Sequence, residues 1–457
     1  MGNEKISRRK FLYIGAGAAL AAAAGAAYYA TQTPTPTKPV TTTTAVTTTK
    51  AKVEQLTIAA QTAPWMTSLR QTTDLYPQET GTKINWEIHP SLDAMMAKQR
   101  EAATVGSGVY DLFMWPSAYS AFFLSQGYVT PLQDVDPNFK PDPNLLHHHY
   151  TTYWPAKADG KVYGLMIFSI VTLFYYRKDL LDKYGFAPPK TWTDVVNICE
   201  KVHDPSKNLY GFGVPLNPPV DFNWWPIHRS FGTDLFADET REDWTIVINN
   251  DAGIQAMNFL TKDLAKYMPP GWHNLGVNDI GELMRAGKLA MNIGPAALVA
   301  GIDDPKKSAV PGLLNTSITP RADVKNGRYA PTTGSWGLYI PKASKNKLDA
   351  LDFMKWMSGY KAQYEFTKVG GPPTRSDIMQ SDLLKDPQNR WLDGLRQNLE
   401  YVRRPPICVE YFDIRMFLDT YLPKTFAGEL SAKEGLDTIA RKVYDLMKEK
   451  GYNVKLS

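Results

Sequence analysis

Histidine and cysteine are scarce in this chain, seven and two among 457 residues. Cys199 and Cys408 lie far apart and form no CxxC or CxH pattern, so no thiol-zinc or dithiol motif is written here. Two buried thiols and one long-range disulfide are both compatible with that spacing. HExxH, GxSxG and GxxxxGK[ST] are absent, which removes the signatures of zinc hydrolases, serine hydrolases and P-loop enzymes. Charge of one sign is lacking too. Residues 1–52 hold seven Lys/Arg against Glu4 alone, leaving 44 basic and 45 acidic residues in the remaining 405. A neutral body offers no support for nucleic-acid binding. The clustered arginines that an anionic ligand would want are not evident either. His147-His148-His149 is a loop rather than a metal site, because consecutive side chains diverge and no carboxylate stands at useful spacing. No cofactor is expected.

The N-terminus is another matter. Ser7-Arg8-Arg9-Lys10-Phe11-Leu12 is similar to a twin-arginine export signal, and a weakly apolar Ala/Gly-rich run follows to Ala30. No cysteine follows it, which excludes a lipoprotein anchor. Left uncleaved, the run is just long enough to span a bilayer, although Ala24, Ala26 and Ala27 would also allow cleavage. Residues 31–52, dominated by Thr and Pro, cannot bury a core and read as an extended stalk. A stalk favours retention of residues 1–30 as a membrane anchor.

Some 450 residues exceed one ordinary core. From Val53, the order strand (Glu54–Ala60), helix (66–76), strand (83–89), helix (92–103), strand (109–115) predicts an open parallel α/β sheet. Ligands in such sheets bind beyond the carboxyl ends of the strands, where Trp65 and Trp115 fall. The longest apolar run of the body, Val162 to Tyr176, is too short and too β-rich for a membrane helix and reads as one or two buried strands.

Lys161 to Trp192 resembles the first inter-lobe crossing of family-1 extracellular solute-binding proteins of ABC importers. The match lies in Gly160-Lys161, Tyr163-Gly164, Tyr176, Lys178-Asp179-Leu180-Leu181, Gly185 and Pro189-Lys190-Thr191-Trp192, with Arg177 standing where the pattern usually has Asn. Further similar blocks follow in the family's order. They are Tyr110 to Leu132, the aromatic cluster Phe222 to Phe236, Gly287 to Pro295, Thr332 to Lys345, Gly370 to Arg375, and the closing helix after Gly428. The resemblance implies a two-lobed periplasmic-binding-protein type II architecture, each lobe an open sheet flanked by helices. One lobe would hold 53–166 and 336–374, the other 167–335 and 375–457.

The resemblance also implies a function, that of a ligand-binding component of an uptake transporter rather than an enzyme. It would close on a carbohydrate, by expectation an oligosaccharide, and deliver it to a permease with its ATPases while itself a monomer. Twelve tryptophans, about twice an ordinary share, suit stacking on sugar rings. The implied ligand-facing residues are Trp65, Trp115, Phe222, Trp224, Trp225, Trp336, Tyr411 and Phe412, with core packing the competing reading for each tryptophan. Arg375 either braces a hinge or reaches the ligand. Ala296-Ala297 stands where maltose-type proteins carry an aromatic, which argues against maltose itself. The alternatives are the same receptor class for a polyamine, phosphate ester or metal, and a secreted carbohydrate-active enzyme. The latter needs two carboxylates about 5–10 Å apart, and no motif fixes such a pair.

Overall fold

Alternating apolar residues decide where the strands lie. The computed structural model describes residues 52–63, 65–146, 160–238, 243–406 and 408–457. The export motif, the stalk, the three consecutive histidines and Trp154 lie outside them. In chain order the strands are β1 (Gln55–Gln61), β2 (Lys83–His89), β3 (Phe113–Pro116), β4 (Gly164–Phe168), β5 (Thr172–Arg177), β6 (Tyr210–Gly213), β7 (Phe236–Asp238), β8 (Asp243–Ile246), β9 (Leu289–Pro295), β10 (Leu314–Ser317), β11 (Trp336–Tyr339) and β12 (Val454–Leu456).

β1 and β2 pair in parallel, and Ile58 bridges in parallel to Leu112, which brings the start of β3 alongside. β11 inserts antiparallel between β3 and β4. The second sheet has the order β10-β5-β9-β6, with β5 antiparallel to β9 and β10 and with β6 parallel to β9. A third small sheet joins β12, β8 and β7. The first two sheets are mixed where the early strand order predicts a parallel one, because β11 returns antiparallel between β3 and β4 and β5 runs antiparallel to its neighbours.

The apolar run 162–176 becomes two fully buried strands belonging to different sheets, β4 and β5. Ser169-Ile170-Val171 carries the chain from one sheet to the other. A second passage runs beside it, since Thr172 N–H donates to Thr332 O (2.9 Å), Gly334 N–H donates to Ile170 O (2.8 Å), and Val171 bridges Thr333. The third passage is tied to the first by Ser169 N–H donating to Pro372 O at 2.9 Å. Three separated stretches of sequence thus share one hydrogen-bonded seam between the two sheets.

Local chemistry sets the boundaries. Thr191 caps the helix Trp192–Val202, its hydroxyl accepting from Asp194 N–H while the Asp194 carboxylate accepts from Thr191 N–H. Gly185 ends the preceding helix at φ +73°, in the left-handed region that a side chain disfavours. The third predicted strand, 109–115, is regular only over β3. Ahead of it Asp111 N–H donates to Thr57 O (2.9 Å) while the Asp111 carboxylate takes the Thr57 N–H (2.9 Å) and the Asn346 amide (2.9 Å), so a side chain supplements a single main-chain bridge.

Candidate functional site

Aromatic rings collect where the seam meets the carboxyl ends of the strands. Trp65 follows β1 at the entrance to the helix Met66–Thr73, Phe168 closes β4, and Trp336 opens β11. Trp336 stacks on Phe168 with centroids 5.8 Å apart and planes 15° off parallel, and Trp65 packs tilted against both, at 5.4 and 5.6 Å. Trp65 stays partly exposed, whereas Trp336 is buried. Phe222, at the start of the helix Asp221–Ser230, covers the second passage so closely that a Cβ at Gly334 would stand 3.1 Å from its ring. A side chain at Gly334 would push the Phe222 ring back by a few tenths of an ångström.

A second group adjoins the N-terminal end of that helix. Tyr411 and Phe412 begin the helix Tyr411–Phe426, and each lies 6.0 Å from the ring of Tyr119. The Tyr411 hydroxyl donates to the Asp221 carboxylate. Burial first, then the Asp221 charge, pushes the Tyr411 phenol well above its ordinary pKa, so the hydroxyl stays protonated. One turn along, the Arg415 guanidinium lies 5.2 Å from the Phe412 ring centroid and reaches two carboxylates. Its Nη2 is 2.7 Å from Asp93 Oδ1 and its Nη1 is 3.1 Å from Asp419 Oδ2. Asp419 also accepts from Val220 N–H at 2.9 Å. Burial pushes its carboxyl up to about 6, against the downward pull of that hydrogen bond and of Arg415. Of these rings Trp65, Phe222 and Phe412 keep part of their surface exposed, near fixed carboxylates, a guanidinium and a phenol. Such an arrangement can bind a small neutral ligand that is apolar on one face and hydroxylated at its edges.

The remaining predicted residues fall elsewhere. Trp115 is sandwiched between Phe123 (4.1 Å) and Tyr339 (4.0 Å), both nearly parallel, and its Nε1–H points to Ser120 Oγ at 3.4 Å. With both faces of the indole covered, Trp115 belongs to the core and not to a ligand surface, a correction to the sequence reading. Trp224 and Trp225 are wholly buried, the first against His228 at 4.4 Å and the second beneath the Arg229 guanidinium at 4.7 Å. Neither presents a free face, although Trp225 lies beside the Tyr411 hydroxyl, and of that cluster only Phe222 keeps exposed surface at the seam. Arg375 braces: it pairs with Asp142 (2.6 Å) and Asp377 (2.7 Å), donates to Ser358 O (3.1 Å), and is buried. Cys199 and Cys408 are both buried and are not joined to one another, so the disulfide alternative falls. Among the described residues no cluster of metal-ligating side chains occurs. Sequence reasoning missed Phe168, Tyr119, Asp93, Asp221, Arg415 and Asp419. The i, i+4 spacing of Tyr411 and Arg415 on one helix face was the signal for Arg415.

Two sheets joined by a triple seam, with an aromatic and polar site beside it, define a two-lobed solute-binding architecture. The chain belongs to the bacterial extracellular solute-binding protein family, whose profile it matches over residues 59–364. It is 23% identical over 389 residues to a probable amino-acid ABC transporter periplasmic-binding protein of Sinorhizobium fredii, covering 82% of this chain and 85% of that one. It is 25% identical over 303 residues to the mannitol-binding protein of Pseudomonas aeruginosa, covering 62% of this chain and 66% of that one. Among solved structures, the ABC transporter solute-binding protein of Agrobacterium radiobacter in complex with ribitol superposes with a TM-score of 0.76 at 22% identity. That match covers 87% of this chain and 99% of the other.

Proposed function

We propose that this protein is the extracytoplasmic receptor of an ABC uptake transporter and that it binds a sugar or polyol in the cleft between its sheets. The observation that carries the proposal is the ring cluster Trp65, Phe168 and Trp336 beside the passages, with Phe222 over Gly334 on a helix whose first residue, Asp221, takes the Tyr411 hydroxyl. A polyhydroxylated ligand offers C–H faces to rings and hydroxyls to carboxylates and guanidinium. Each fixed polar group left unpaired by a wrong epimer costs about 1–3 kcal/mol, which is a basis for selectivity. The mannitol-binding relative and the ribitol-bound neighbour support this class of ligand.

On this reading one lobe comprises 53–166 with 336–374 and the other 167–335 with 375–457, the exchange lying in 169–171. Hinge closure about the seam excludes water from the ligand. A monomer delivers it to a two-subunit permease with its ATPases, and the reaction is binding without turnover. Residues 1–30 act as a twin-arginine export signal retained as an anchor, and 31–52 as the stalk above the membrane.

The test is calorimetry of the purified protein with ribitol, mannitol, maltose and a set of amino acids. Saturable binding of at least one of the first three, with no change in the ligand, supports the proposal. Binding confined to amino acids would reject the carbohydrate assignment and leave the receptor class standing, whereas hydrolysis of a glycan would reject the receptor.

A further inference from the structure

Folding gathers arginines that the sequence scatters. Arg321, Arg328, Arg403 and Arg404, with Tyr329 and Tyr401, line a surface pocket of about 580 Å³ whose described carboxylates are Asp234 and Glu400. It lies toward the carboxyl end of the helix Asp221–Ser230, about 13 Å of helix away from Asp221. The pocket is therefore distinct from the cleft.

Its charge is unbalanced by geometry. Asp234 Oδ1 is committed to buried Arg229, whose Nε donates at 2.8 Å, and to Leu235 N–H at 2.9 Å. Asp234 Oδ2 is the shared carboxylate oxygen of Arg328 (4.0 Å) and Arg403 (3.9 Å), too far from either for a hydrogen bond. Arg328 is held in place regardless, donating to Arg229 O (3.2 Å) and Thr233 O (2.6 Å). Burial, then the charge of Arg403, lowers its pKa to about 10. Among the described residues Arg321 reaches Asp323, at 3.9 Å, and the Ala322 carbonyl, at 3.5 Å. One fixed guanidinium, Arg328, beside the half-exposed Arg403 and Arg321 leaves room for a second, multiply charged acceptor.

We propose that this pocket binds a phosphate-type oxyanion, accepted jointly by Arg321, Arg328 and Arg403. Its wall is part of the second passage between the sheets. Arg403 N–H donates to Pro331 O (2.8 Å) and Thr333 N–H donates to Arg403 O (3.0 Å), so an occupant sits against the seam. The assignment is independent of what the cleft holds.

The experiment measures melting temperature and calorimetric heat against inorganic phosphate at constant ionic strength, for the full chain and for R403Q, R321Q and the neighbouring surface control K325Q. The Arg403 and Arg321 side chains are 43% and 39% exposed, so their truncation leaves the core intact. A parallel arm measures co-sedimentation with phosphatidylglycerol vesicles. The expected result is a saturable phosphate response, weakened at least about tenfold in R403Q and R321Q and unchanged in K325Q. Vesicle binding lost in the same two variants, without a response to free phosphate, assigns the oxyanion to a lipid headgroup. Absence of both responses, or equal responses in all four proteins, overturns the proposal.

Discussion

The Arg415 guanidinium, on the helix that begins with Tyr411, is 2.7 Å from the carboxylate of Asp93, in the first turn of the helix Leu92–Val105. Asp93 belongs to the helix packed on β1 and β2, whereas Arg415 comes from the carboxyl-terminal part of the chain, so the pair joins elements 322 residues apart. Arg415 is almost fully buried while Asp93 is 57% exposed. The partners differ in what their loss costs: without Arg415 the largely buried Asp419 carboxylate loses its cation, whereas without Asp93 the guanidinium keeps Asp419.

Truncating Arg415 should then be worse than truncating Asp93. R415M is expected to weaken binding in the cleft at least tenfold, because both the donor to the ligand and the holder of Asp419 are lost. D93N is expected to change it less, since Asp419 still pairs with the guanidinium. A double-mutant cycle read by calorimetry checks the ranking, and a larger loss in D93N would refute it.

The two classes of tryptophan should separate by readout. W115A empties a sandwiched core site and is expected to cost about 3–5 kcal/mol of stability in denaturant unfolding. W65A removes a partly exposed ring and is expected to leave the unfolding midpoint nearly unchanged while reducing ligand affinity. The reverse assignment would return Trp115 to the ligand surface.

His228 predicts an acid-side loss of stability. Burial is the main cause that lowers its pKa to about 4, below an unfolded value near 6.5. Between those values the unfolded chain binds more protons, so this residue's contribution is present above about pH 6.5 and is lost as pH falls toward 4. Melting temperature followed from pH 7.5 to 4 should fall less steeply in H228Q than in the wild type.

Asp419 carries the opposite sign. Its carboxyl is raised to about 6, above the ordinary value of 3.8, so the native state holds the proton more tightly between those limits. Stability of the wild type relative to D419N should decline as pH rises from 4 to 6 and level off above. Urea unfolding of both proteins at a series of pH values reads the difference directly.

Much of the fold was legible because it rests on local pattern. The apolar run 162–176 announced its buried strands in composition alone. The site was legible only in part. Trp65, Trp336, Phe222, Tyr411 and Phe412 were named from the sequence, but Trp115, Trp224 and Trp225 were named with them. A ring at a strand end looks the same in sequence whether Phe123 and Tyr339 cover it or nothing does. Asp93, Asp221 and Arg415 escaped because their meaning lies in contacts across 190 and 322 residues, which no spacing rule encodes. The arginine pocket escaped for the same reason.

Lobe closure on a polyhydroxylated ligand is tested most directly by small-angle X-ray scattering of the protein with and without the sugar or polyol that calorimetry finds to bind. Closure about the triple seam predicts a smaller radius of gyration at saturation, together with quenching or a shift of tryptophan emission that W336A diminishes. An unchanged radius and an unchanged spectrum under proven saturation would contradict a ligand held between the two sheets.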